Sequence, residues 1–158
     1  MLNYIIILVV LFISELAYLK IAKANGIIDK PNHRSAHINP TIRGGGIIYL
    51  PALLLFLIFF REDVQQYYYL IIAVFLVAVI SFIDDINPLS TRIRIAVHFI
   101  AFSLMFYSFG FFSALTLVSG FLLLLAYAFS LGFLNIYNFM DGINGMTFLN
   151  ALATFVGM

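Results

Sequence analysis

Along the chain, hydrophobic and polar positions separate into long blocks instead of alternating. Apolar runs cover 2–21, 47–60, 67–83, 95–112 and 115–134, and another begins at 146 and continues to 158. Runs this long and this poor in charge predict membrane-spanning helices, because a hydrocarbon core takes about 20 apolar residues to cross. The expected fold is therefore all-α, a polytopic membrane helix bundle with five complete transmembrane helices and a truncated sixth, forming a single transmembrane domain over 1–158. The last run reaches only about 20 Å at the helical rise, short of a crossing, so the chain reads as truncated at its C-terminus. Pro51 interrupts the second run, which a membrane helix tolerates when neighbouring helices satisfy the freed backbone groups. The segment "MFYSFGFFSALTL" reads either as a tight turn near Ser113 or as a small external hairpin.

Composition agrees with this pattern. At 64% hydrophobic and 9% charged, the chain lies outside the range of soluble domains. Cysteine is absent, which excludes disulfides, thiolate metal sites and a Cys nucleophile. The opening "MLNYIIILVV" lacks the basic start of a secretory signal and reads as a retained span.

Charge placement adds topology. Lys20, Lys23, Lys30, Arg34, Arg43, Arg92 and Arg94 fall on one side of the expected bundle, and Arg61 alone falls on the other. The excess of basic residues marks the first side as cytoplasmic and puts the N-terminus outside. Glu15 is the one acid well inside a span, explained by helix packing or by snorkelling towards Lys20.

Three polar loops, 23–46, 84–94 and the one opening at "LNIYNFMDGINGM", then share the cytoplasmic face. In the first, Arg34, His37 and Arg43 offer donors suited to phosphate oxygens, and Gly44 to Gly46 could let backbone amides approach a diphosphate. A solvated basic loop that only sets topology explains the same residues. The second carries Asp84 and Asp85, which a hard divalent cation would hold beside a diphosphate; Mg²⁺ is the natural candidate, with Mn²⁺ able to substitute. Arg94 and His98, spaced i, i+4, share a helix face that could point back at the pair. The plain alternative is a solvated turn, "DDINP" being good turn chemistry. In the third loop Asn135, Asn138 and Asp141 repeat at i, i+3, i+6 on one helix stripe, followed by Asn144; a helix end closed by Asp-Gly, with Asn as packing glue, is the competing account. Together the loops suggest a membrane-surface site joining a cation, a phosphorylated compound and an apolar partner.

The ordered segments "DKPNHRSAH", "TIRGGG", "DDINPLSTRIRIAVHF" and "NIYNFMDGINGM" resemble the signatures of the polyprenyl-phosphate N-acetylhexosamine-1-phosphate transferases of glycosyltransferase family 4, over about residues 29–145. The resemblance implies the N-terminal half of such an enzyme, in a bacterial cytoplasmic membrane with its active-site loops in the cytoplasm. It also implies transfer of a sugar 1-phosphate from a UDP-N-acetylamino sugar to polyprenyl (undecaprenyl) phosphate with release of UMP, the first membrane step of cell-envelope polysaccharides such as O-antigen. By the same resemblance, Asp84 and Asp85 are catalytic, with Asp84 as base and Asp85 nearer the metal. Asp141 joins the metal side, and Arg34, His37, Arg43, Arg94, Asn135, Asn138 and Asn144 bind substrate. Direct in-line attack by the lipid phosphate and double displacement through an Asp nucleophile place the same demands on these residues. Asn144 stands where many members have Asp, and His98 where Gln is more usual. No nucleic-acid partner is expected, and a homodimer is compatible with the reading. Two other accounts of the chain are a small cation-binding transport protein and a non-catalytic partner of a larger transferase.

Overall fold

The computed structural model describes residues 2–29, 40–113 and 116–140. Helix α1 (Leu2–Ala24) is mostly apolar with no face set apart as polar, and so calls for an apolar environment all round. It ends in a Schellman turn in which Gly26 adopts φ 68° and the Ile27 N–H donates to the Ala22 carbonyl at 2.9 Å. The chain then forms a two-residue antiparallel ladder, β1 (Ile28–Asp29) with β2 (Thr41–Ile42), in the register Ile28 to Ile42 and Asp29 to Thr41. That ladder closes the base of the first polar loop, whose interior, 30–39, lies outside the described residues.

A 3-10 turn (Gly45–Ile48) leads into α2 (Tyr49–Phe59) and a single helical turn, α3 (Arg61–Val64). Pro51 does not interrupt α2. It occupies the first turn, where a helix leaves its N–H groups without intrahelical partners, so the missing donor costs little. With 11 residues α2 spans about 17 Å, roughly half a hydrocarbon core.

Helix α4 (Tyr68–Ile86) and α5 (Thr91–Ser108) pack as the most extensive helix pair among the described residues. Asn87 ends α4 because it precedes Pro88, whose ring drives the preceding residue into the extended region it adopts, φ −131° and ψ 109°. Ser90 then caps α5 by accepting from the Ile93 N–H. After α5 the chain turns at Gly110 (φ 75°), and Thr116 and Ser119 exchange backbone-to-side-chain hydrogen bonds of 2.7 and 3.2 Å, a capping box that starts α6 (Leu117–Met140). The α5 to α6 link is thus built from two capped helix ends, with 114–115 outside the described residues.

Among the described residues, three helices are long and apolar enough to cross a membrane: Leu2–Ala24, Tyr68–Ile86 and Leu117–Ile136. The sequence suggested five complete spans. Helix α2 falls short in length, α5 carries Arg92 and Arg94 in its first turn, and the expected sixth span lies outside the described residues. The packing is that of a lipid-exposed bundle. Large side chains face outwards, Leu117 being 95% exposed, while the buried apolar side chains among the described residues are Ala22, Ala73, Ala78, Ala101 and Phe106. Small residues at these contacts let helix backbones approach closely where no aqueous hydrophobic effect drives them together. Phe106, 5% exposed on α5, packs edge-on against Tyr127 and Phe111, with ring centroids 4.9 and 5.5 Å away. Phe106→Ala should cost about 3–5 kcal/mol through the lost ring contacts and the cavity left behind, and lower the thermal midpoint of the detergent-purified protein; an unchanged midpoint would contradict a packed cluster at this position.

Candidate active site

Asp84 and Asp85 lie in the last turn of α4, inside the helix and not in the loop expected from sequence; the connection to α5 is only 87–90. This placement is electrostatically unfavourable, since acids at a helix C-terminus face the negative end of its dipole. Arg92 and Arg94, in the first turn of α5, face the positive end and are equally misplaced.

Asp84 is fixed through both oxygens. Its Oδ1 accepts from the Leu89 N–H at 2.8 Å and its Oδ2 from Arg94 Nη1 at 2.9 Å, so one carboxylate ties together α4, the turn and α5. Both partners are largely covered, the Asp84 side chain being 24% exposed. Asp85 lies about 100° further round the helix and meets a different element. Its Oδ1 is 4.0 Å from Nε of Arg43, and its side chain is 38% exposed.

Arg43 follows β2 and is held by its backbone: its N–H donates to the Ile27 carbonyl at 3.2 Å, and its carbonyl accepts from the Tyr18 hydroxyl of α1. The Tyr18 ring packs edge-on to Phe82 of α4, with centroids 6.1 Å apart. Gly44 has φ 79°, and a Cβ there would run into the Tyr18 hydroxyl and lie 3.1 Å from Phe82. At Gly45 an added Cβ would meet Glu15 Oε1 at 3.4 Å. The glycine run was expected to open a path for a diphosphate; at Gly44 and Gly45 the space is filled by α1, and of the three only Gly46 faces open space. Glu15 turns to this packed loop, and its buried Oε2 has no hydrogen-bond partner among the described residues.

Arg43, Asp84, Asp85 and Arg94 thus come together at one end of the bundle. His98 follows Arg94 by one turn, half-buried on the same face and within the fields of Arg94 and Asp84. Helix α6 carries Asn135, exposed, and the backbone of Asn138 one turn on; Arg34, His37, Asp141 and Asn144 lie outside the described residues. Among the described residues no three His, Asp or Glu side chains gather around one metal-sized position. Below the carboxylates an apolar groove of about 340 Å³ runs beside the α4–α5 pair from Gly46, Ser81 and Leu134 to Leu70 and Met105. Sequence reasoning missed Tyr18. The available signal was a hydroxyl-bearing side chain about one turn from Glu15, the acid inside the span.

The family model described as Glycosyl transferase family 4 matches residues 67–158, more than half of the chain. The chain belongs to this family. Its activity is accordingly of the glycosyl or sugar-phosphate transferase kind, in a membrane-associated protein. The matched range includes Asp84, Asp85, Arg94, Asn135, Asn138, Asp141 and Asn144 and begins after the first loop, so Arg34, His37 and Arg43 fall outside it. It lies in the C-terminal part of this chain, whereas the resemblance read from sequence began near Asp29. No curated protein and no solved structure matches the chain.

Proposed function

We propose that this family 4 transferase moves an N-acetylamino-sugar 1-phosphate from a UDP-sugar to polyprenyl phosphate and releases UMP. The observation that carries the proposal is a pair of adjacent carboxylates, each facing its own arginine, one helical turn beyond Ser81, which lines an apolar groove. A lipid phosphate needs both parts, a groove for its chain and cations for its head. On this reading the carboxylate end faces the cytoplasm of a bacterial cell, as the basic-residue asymmetry suggests, and the N-terminus lies outside.

The donor set fits a magnesium site of the kind that takes one or two carboxylates and completes its shell with substrate phosphates and water. Asp85, the more accessible of the pair, would hold the ion together with Asp141; once bound, the ion would neutralise charge on the diphosphate. Arg94 and Arg43 orient phosphate oxygens, Arg94 by leaving Asp84 for the incoming phosphate. That exchange frees Asp84 Oδ2 from its guanidinium and leaves it open to accept the lipid phosphate's proton. The deprotonated oxygen attacks the β-phosphorus, a new phosphorus–oxygen bond forms, and the bond to the bridging oxygen breaks with UMP as leaving group.

The test is UMP release by the full-length protein in membranes supplied with UDP-N-acetylamino sugars, undecaprenyl phosphate and Mg²⁺. Release coupled to a lipid-linked diphosphate sugar, abolished by EDTA and restored by Mg²⁺ or Mn²⁺, is the expected result. Absence of UMP release with every such donor would refute the proposal.

A further inference from the structure

The turnover proposed above depends on where Asp85 and Arg43 stand, and helix α1 is the element that sets Arg43. We infer that Tyr18 is a positioning residue: its hydroxyl holds the Arg43 carbonyl and thereby aims the Arg43 guanidinium at Asp85.

Three independent contacts converge on this side chain. The ring is braced against Phe82, which precedes Asp85 by three residues on α4, so Tyr18 touches both partners' supports at once. The hydroxyl donates across 25 positions of sequence to a backbone carbonyl, fixing the one residue between β2 and Gly44. Gly44 is left-handed and has room for hydrogen alone, because the Tyr18 hydroxyl occupies the space a Cβ would take. A strand end, a helix and a glycine turn are therefore registered on one phenol. Arg43 itself is a long, rotamer-rich side chain, and a fixed backbone reduces the ordering it needs to meet a carboxylate or a phosphate. The contact also explains how 2–66, outside the range the family model matches, takes part in a site whose acids lie inside it.

The inference rests on the proposed transfer for its kinetic consequence and on geometry alone for its structural one, and two measurements keep these apart. Hydrogen exchange of the full-length protein in nanodiscs should show the 41–47 amides exchanging about fivefold to tenfold faster in Tyr18→Phe than in the parent, the loss of one net hydrogen bond. Gly44→Ala, which presses on the same contact from the other side, should do likewise. In UMP release, Tyr18→Phe should lower kcat about tenfold in the parent background and have no further effect in an Arg43→Ala background, whose backbone carbonyl is retained. Unchanged exchange at 41–47 would overturn the clamp. Faster exchange with unchanged kcat, or equal losses in both backgrounds, would reduce Tyr18 to a structural residue and overturn the positioning role. If the parent itself releases no UMP, the functional reading fails, and the exchange result still decides the clamp.

Discussion

Asp85→Asn should lower UMP release by about 10³-fold while leaving the protein folded and membrane-inserted. The side chain is partly exposed and its ion pair with Arg43, at 4.0 Å, is long, so that pair adds little to stability. Its cost lies elsewhere: a carboxylate in the last turn of a helix opposes the dipole, and its neighbour is another carboxylate. A carboxylate placed against the dipole beside a second one suits a cationic ligand, and asparagine keeps its shape while removing the charge. Steady-state UMP release alongside a thermal unfolding curve is the measurement. Turnover within tenfold of the parent would remove Asp85 from the site.

Asp84→Ala should lose turnover to a similar extent and also lose stability, by about 1–3 kcal/mol, which separates it from its neighbour. Alanine leaves the Leu89 N–H without its acceptor and Arg94 without its partner at the positive end of α5. Both deficits fall on the most extensive helix contact among the described residues. Because Arg94 and Asp84 act as a pair, Arg94→Gln combined with Asp84→Asn should destabilise less than the sum of the single changes. A thermal midpoint for Asp84→Ala equal to the parent's would contradict the bridging role. Full turnover would contradict the role as base.

These two acids show how far the sequence could be read. The polarity of "DDINP" predicts a loop; the helix runs through both acids because its stop signal is Asn87 before Pro88, two residues later than the change in polarity. Polarity marks where a membrane ends, while backbone sterics mark where a helix ends, and here the two do not coincide. Pro51 misled in the same way, since its effect depends on its position within the helix, and a 3-10 turn had already moved it into the first turn. The i, i+3 placement of Asn135 and Asn138 needed nothing beyond helical spacing, and α6 continues through both. Family membership, too, was legible, because ordered motifs are a local property of the chain.

By itself the sequence determined that this is a helical membrane protein of the family 4 transferases, with all but one of its acids and most of its basic residues gathered into a few loops and helix ends. Hydrophobic run length and motif order suffice for that. Only the tertiary structure decided which acid faces which arginine: Asp84 faces Arg94 across a four-residue turn, and Asp85 faces Arg43 across more than 40 positions. It also decided that Tyr18 fills the space above Gly44. Those pairings depend on how α1, β2 and α4 meet, and a one-residue step rotates a helical side chain by about 100°, so adjacent aspartates with the same local sequence acquire different partners.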